Sequence, residues 1–99
     1  MKFLVTWSID QDAWLPVLEQ WTSMTPAQRA DAGDDVKLIG RWHDMASRTG
    51  AGIFETTDAS ALSRYLGQWN PHMDLDVCPV LDDEESAEAG KAILASHED

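Results

Sequence analysis

The sequence has little cysteine, little positive charge and no long apolar run, and each shortage narrows the possible functions. A single cysteine, Cys78, excludes an intrachain disulfide and a cysteine-rich metal site. Seven lysines and arginines against 18 aspartates and glutamates give a formal net charge of −11, which repels nucleic-acid backbones and anionic membranes. No apolar segment approaches the ~20 residues that a membrane-spanning helix needs. We therefore expect neither nucleic acid nor a membrane as a partner.

Several signatures of catalysis and ligand binding are also missing. The chain has no G-x-S-x-G nucleophile motif, no glycine-rich phosphate loop and no G-x-G-x-x-G fingerprint. Its three histidines, His43, His72 and His97, lack metal-ligand spacing. We predict no metal and no cofactor. The opening M-K-F-L-V-T-W-S-I-D becomes polar too soon for a signal peptide, and together with the lone cysteine this favours the cytoplasm.

What the sequence does contain is typical of one globular domain, residues 1–99. The hydrophobic fraction is 43%, which is ordinary for a folded chain. Five tryptophans are many for this length, and such large side chains need buried or interfacial surface. The excess of aspartate and glutamate is best explained as a means of keeping the protein soluble.

Apolar periodicities predict the order β-α-β-β-α-β followed by a terminal helix. The predicted strands are Lys2–Ile9, Val36–Asp44, Gly52–Thr56 and His72–Leu81. The first predicted helix starts near Asp12–Leu15 and ends near Ser23. Three more helices are predicted, over Pro26–Ala32, over Ala59–Trp69, and from Asp82 or Asp83 to about Ser96. Pro16 is expected in the first turn of the first helix, where its missing N–H costs nothing. Because Pro79 has no N–H to donate to a neighbouring strand, the fourth strand is predicted to lie at the edge of the sheet.

This order is that of the α+β ferredoxin-like plait. Right-handed crossovers give an antiparallel four-stranded sheet in the order 4-1-3-2 with helices on one face. The other face, with residues such as Leu4 and Ile39, has no cover within the chain. Exposed apolar patches usually mark an interface, so we predict a symmetric homodimer through this face. The last helix has few apolar residues, Ile93 and Leu94, and we expect it to lie near the partner.

The densest group of chemically capable side chains lies in the predicted hairpin Val36–Thr57. If its first strand is unbroken, Arg41 and His43 share one face with Lys37 and Ile39, whereas Trp42 shares the other with Val36, Leu38 and Gly40. Gly40 is a candidate site for a bulge.

His43, Arg41 and Glu55 are the candidate catalytic residues. His43 is able to act as an acid or a base near neutral pH, and Arg41 is suited to holding a carboxylate or enolate oxygen. Glu55, across the hairpin, would set the tautomer of His43 or act as a base. The structural alternative is an Arg–Glu cross-strand pair and a hydrogen-bonded histidine at a dimer interface.

Four aromatic residues are candidates for the wall of a ligand pocket: Trp7, Trp42, Tyr65 and Trp69. A cleft between sheet and helices is typically apolar with a few polar groups. The alternative is plain core packing, favoured for Tyr65 and Trp69 because both lie on a helical stripe. Trp42 must point away from Arg41 and His43 unless the strand bulges. Trp14 and Trp21 are interpreted as core or dimer-facing residues.

The chain resembles a family of short proteins classed only as a domain of unknown function. The matching stretches are the opening M-K-F-L-V-T-W, the central V-K-L-I-G-R-W-H, the junction E-T-T-D-A-S-A-L and the exit C-P-V-L-D-D-E-E, of which G-R-W-H is the most specific. That family is similar to the dimeric α/β-barrel superfamily. The resemblance implies a dimeric barrel of ferredoxin-like subunits, and the superfamily includes cofactor-free monooxygenases, haem-degrading enzymes and small isomerases.

Two classes of function follow from these observations. The first is a small enzyme or binding protein that takes a small aromatic or carbonyl ligand between sheet and helices through His43 and Arg41. The second is a non-catalytic homodimeric interaction or accessory module with an acidic surface. A closed, fully packed interior around Trp7, Trp42 and Trp69 would favour the second.

Overall fold

Four antiparallel strands form one sheet in the computed structural model, which describes residues 1–98. The strands are β1 (Lys2–Ser8), β2 (Lys37–Asp44), β3 (Thr49–Glu55) and β4 (Asp74–Val80). They lie in the order β2-β3-β1-β4, so the predicted ferredoxin-like plait and its strand order are confirmed. β4 is an edge strand, as Pro79 indicated.

The helices are α1 (Gln11–Ser23), α2 (Pro26–Ala30), α3 (Ala59–Leu66) and α4 (Asp83–Ser96), and a 3-10 turn covers Asn70–His72. A capping box starts α2: the Gln28 amide donates to Thr25 Oγ1 at 3.2 Å, and the Thr25 amide donates to Gln28 Oε1 at 2.8 Å. A second capping box, between Asp82 and Glu85, starts α4. These local bonds satisfy amide groups that otherwise have no partner at a helix start.

Two predicted boundaries differ from the observed ones by three residues each. β3 begins at Thr49 rather than Gly52, because Arg48 turns the chain at a φ of 56° and the paired strands continue to the turn. α3 ends at Leu66 rather than Trp69; beyond it the amides of Gln68 and Trp69 bond three residues back, the tighter pattern of a fraying helix end.

Pro16 also lies elsewhere than expected, in the second turn of α1, because the helix begins at Gln11. The proline removes one internal N–H and leaves the carbonyl four residues earlier without a helical partner. Both Asp12 and Pro16 are exposed, so solvent can reach this part of the helix.

A bulge in β2 changes which of its side chains share a face. Leu38 pairs with Phe54, but Gly40 pairs with Ile53, so Ile39 is an extra residue. After it, Arg41 lies opposite Gly52 and His43 opposite Gly50. Since the alternation shifts by one at the bulge, Leu38 joins the face of Arg41 and His43. The expected grouping of Leu38 with Trp42, which assumed an unbroken strand, was wrong.

The core lies on the inner face of the sheet, the face that carries Phe3, Val5 and Trp7 and is covered by α1 and α3. Its largest fully buried side chains are Phe54 and Val5, and Leu62 and Leu66 of α3 pack against them. The opposite, outer face carries Trp42, which is 66% exposed.

Helix α4 does not pack against the core as α3 does. None of its residues is buried, and Ile93 and Leu94 are exposed. The radius of gyration is 16.6 Å and the longest dimension 58 Å, whereas a compact chain of this length has a radius of gyration of about 13 Å. Within residues 1–98, no helix is long and apolar enough to cross a membrane.

The structure predicts that Gly50→Ala destabilises the fold. A Cβ at this position would lie 2.2 Å from the indole of Trp7, so the tryptophan would have to move out of its packed position. Overpacking of this kind costs roughly 1–3 kcal/mol, measurable as a lower free energy of unfolding in urea.

Gly90→Ala is the matched control, because a Cβ there meets nothing within 4 Å. Alanine is the better helix former in the middle of α4, so this variant should be unchanged or slightly stabilised. Equal stability of Gly50→Ala and the parent would contradict the close approach of Trp7.

Candidate functional site

A cleft opens between the inner sheet face and the helices α1 and α3. It encloses a cavity of about 70 Å³, enough for a few water molecules or the small head of a ligand whose remainder lies in the open mouth. Most of its lining is aromatic or aliphatic, and its polar side chains come from Arg41, His43, Tyr65 and three tryptophans. The lining residues are Val5, Trp7, Ile9, Val17, Trp21, Arg41, His43, Phe54, Tyr65, Leu66, Trp69, Met73 and Leu75.

The guanidinium group of Arg41 connects the sheet to three helices. Its Nη2 donates to the backbone carbonyl of Arg29 at 2.6 Å, and its Nη1 donates to the hydroxyl of Tyr65 at 3.3 Å. Its central carbon lies 4.6 Å from the ring centroid of Trp21, a distance typical of a cation–π contact. These contacts use two of the five N–H groups of an arginine.

Trp21 is a central residue of this cleft. Its indole lies 5.2 Å from the imidazole of His43 and 6.1 Å from the indole of Trp69, measured between ring centroids. Arg29 packs over the same indole at 5.5 Å and donates from Nε to the Trp21 carbonyl at 3.3 Å. From its place in the sequence, Trp21 was expected only in core or dimer contacts. The available signal was its place at the end of the apolar stripe of α1, one turn from Met24.

His43 packs edge-on against Trp7, with 5.7 Å between ring centroids. The residue is exposed, yet partial burial against these aromatic rings lowers the pKa of its imidazole below the ordinary 6.5, and the nearby positive charge of Arg41 lowers it further. The neutral imidazole is therefore the prevailing form at neutral pH, and it is able to accept a proton.

The structure brings together five of the seven sequence-predicted site residues: Trp7, Arg41, His43, Tyr65 and Trp69 all line the cleft. Trp42 lies on the outer face, with its ring over Gly40, where a Cβ would come within 2.6 Å of it. The bulge at Ile39 does not bring Trp42 into the cleft, because it precedes Trp42 and leaves the alternation from Arg41 to His43 intact.

Glu55 lies at the far end of the hairpin. It pairs with Lys37, whereas His43 pairs with Gly50, so about five strand residues, or roughly 17 Å, separate the two positions. The Glu55 carboxylate is 3.2 Å from Lys2 Nζ on the outer face. The expected contact with His43 was therefore wrong, as was the alternative Arg41–Glu55 cross-strand pair. Among residues 1–98, no three His, Cys, Asp or Glu side chains are grouped to hold a metal ion.

Arg29 and Arg41 are among the cations of the described chain that form no ion pair. Lys2, Arg64 and Lys91 pair with carboxylates, whereas Arg29, Lys37, Arg41 and Arg48 do not within residues 1–98. No carboxylate lines the cleft. Two guanidinium groups without an acidic partner lie beside one tryptophan, in a protein whose net charge is −11.

The fold and the cleft together define a small ferredoxin-like protein with an aromatic, arginine-containing site on the helix-covered side of its sheet. The chain belongs to the family described as a domain of unknown function, DUF3303, whose model matches residues 1–94. No curated protein matches the chain.

The lowered pKa of His43 predicts a loss of stability at mildly acidic pH. Between that pKa and 6.5 the unfolded chain binds a proton that the folded chain does not, so the free energy of unfolding falls as pH falls through this interval. His43→Asn should remove this part of the pH dependence, measured by urea unfolding at pH 7.5 and 5.5. His97→Asn, an exposed position beyond α4, is the control and should behave as the parent; equal pH dependence in all three proteins would contradict the desolvation of His43.

Proposed function

We propose that the cleft binds a small, flat ligand, aromatic or carrying a carbonyl group, with an anionic oxygen. The observation that carries this proposal is the position of Arg29 and Arg41 over Trp21 with no carboxylate partner. An arginine in a partly desolvated site is a strong, often bidentate, partner for a carboxylate. The surrounding tryptophans supply flat apolar surfaces against which a planar group can stack.

The absence of a carboxylate from the cleft lining also supports this proposal. The chain has 18 acidic residues, yet none of them lines the cleft beside Arg41. A local positive potential in an acidic protein concentrates anions at that place. The three unused N–H groups of Arg41 are the expected donors to the ligand.

His43 adds an acid–base group to the same cleft, so cofactor-free catalysis is part of this proposal. The resemblance to the dimeric α/β-barrel superfamily supports it, because that superfamily includes enzymes that work without a cofactor. The cleft also counts against the alternative of a purely structural module, for which a closed and fully packed interior was expected.

Replacing Arg41 tests the proposal. Phenylacetate, a flat aromatic carboxylate, should bind to the parent and change its tryptophan fluorescence, whereas neutral 2-phenylethanol should bind more weakly. Arg41→Lys keeps the positive charge but loses the planar guanidinium group, which can donate two parallel hydrogen bonds to a carboxylate. A lost charge-assisted hydrogen bond costs about 1.5–3 kcal/mol. The variant should therefore bind phenylacetate roughly tenfold more weakly, or worse.

Arg64→Lys is the matched control, because Arg64 pairs with Asp58 on the surface of α3 and should not affect binding. Melting temperatures of both variants separate ligand binding from the structural contacts of Arg41. If a folded Arg41→Lys protein binds phenylacetate as tightly as the parent, the anion site is disproved. Native mass spectrometry of the protein from its host would then identify any retained ligand.

We also propose that the chain forms a homodimer through its outer sheet face, with α4 held against the partner. The supporting observations are the exposed Trp42 on that face and the exposed Ile93 and Leu94 on a helix without buried residues. A helix of 14 residues is marginally stable in water on its own. A second copy supplies apolar surface for both elements.

Sedimentation velocity at micromolar concentration should find a dimer. Trp42→Ser and deletion of residues 88–99 should each raise the dissociation constant, because each removes apolar surface from the proposed interface. Leu15→Ser is the control, since Leu15 is 72% exposed but lies on α1, across the sheet from the outer face. A monomeric parent, or equal effects of Trp42→Ser and Leu15→Ser, would contradict this interface.

A further inference from the structure

Arg41, Tyr65 and His43 supply polar side chains to the cleft beside its aromatic walls. The hydroxyl oxygen of Tyr65 accepts a hydrogen bond from Arg41 Nη1 at 3.3 Å. Among residues 1–98 the Tyr65 O–H has no acceptor of its own, so its proton is free to be donated to a ligand.

Arg41 and Tyr65 together therefore offer donors for two oxygen functions. The unused N–H groups of Arg41 suit a carboxylate, and the Tyr65 O–H suits a neighbouring carbonyl oxygen. A carbonyl next to a carboxylate is the arrangement of a 2-oxo acid. An apolar substituent on that acid would lie against Trp7, Trp21 and Trp69, which line the same cavity.

His43 supplies the remaining group. It follows Arg41 by two residues on the same side of β2, about 7 Å along the strand, and its ring also lines the cavity. Its imidazole packs between Trp7 and Trp21 and, being exposed, can exchange protons with water. No carboxylate in the cavity lining competes for this role.

Building on the proposed ligand cleft, we infer that this protein catalyses the keto–enol tautomerisation of a 2-oxo acid, with His43 as the base. The C3–H bond breaks and its proton passes to the imidazole, while the electron pair forms the C2–C3 double bond. The C2 carbonyl oxygen becomes an enolate oxygen held by Tyr65 and Arg41. The imidazolium then returns the proton to that oxygen, which gives the enol. Atoms and electrons balance, and no oxidant, reductant or metal takes part.

Hydrogen exchange tests this inference directly. Phenylpyruvate in deuterated buffer should lose the proton NMR signal of its C3 methylene group faster with the parent protein than in buffer alone. His43→Gln should slow the catalysed exchange by about 10²-fold or more, as expected for a lost general base, while phenylpyruvate affinity changes less than about threefold. Tyr65→Phe removes one donor to the developing oxyanion and should slow exchange by about 10²-fold.

His97→Gln is the control for a histidine outside the cleft and should exchange as fast as the parent. The rate with the parent should fall as pH falls and His43 becomes protonated; the charged group that faces His43 is Arg41, from its own strand.

Failure of this inference and failure of the ligand cleft give different results. If phenylpyruvate binds but its exchange does not exceed that in buffer, the cleft is a binding site and the reaction is disproved. If phenylacetate binds and phenylpyruvate does not, the assignment to 2-oxo acids is wrong. If neither binds, the proposed function fails as well. Catalysed exchange that persists in folded His43→Gln would remove His43 as the base.

Discussion

The guanidinium group of Arg41 holds the functional side of this protein together. It lies on an edge strand, bonds to the carbonyl of Arg29 at 2.6 Å and to the hydroxyl of Tyr65 at 3.3 Å, and packs over Trp21. One side chain thus fixes the relative positions of β2, α1, α2 and α3. A hydrogen bond from a charged group is worth about 1.5–3 kcal/mol, and the two that Arg41 donates connect β2 to α2 and α3 beside the cleft.

That arrangement depends on one extra residue. Without the bulge at Ile39, the unbroken alternation that buries Leu38 against Phe54 would turn Arg41 and His43 to the outer face. The bulge shifts the alternation by one, so Leu38 contributes to the core and Arg41 and His43 still face the helices. Opposite them stand Gly52 and Gly50. The missing side chain leaves room for the indole of Trp7 at Gly50 and for the ring of Phe54 at Gly52.

The fold could be predicted from the sequence, because it depends on local patterns. The apolar periodicities and the order of the elements that they predict led directly to the observed sheet. The candidate site could be predicted only in part. Spacing correctly put Arg41 and His43 on one face, but it could not place Trp21, whose role depends on how α1 crosses the sheet. It also put Glu55 beside His43, because hairpin register is decided by the position of the turn, here four residues between Asp44 and Thr49.

The acidity of the chain and the composition of the cleft have one physical explanation in common. Eighteen carboxylates placed over the surface would repel an anionic ligand at long range, yet salt screens such repulsion beyond about 8–10 Å. Within the cleft, Arg41 is the charge in the lining, and the aromatic walls lower the local dielectric and strengthen its attraction for an anion. The same desolvation favours the neutral form of His43 beside that cation. An anion that enters therefore meets a positive donor and an uncharged base side by side, which is the combination that proton transfer next to a carbonyl requires.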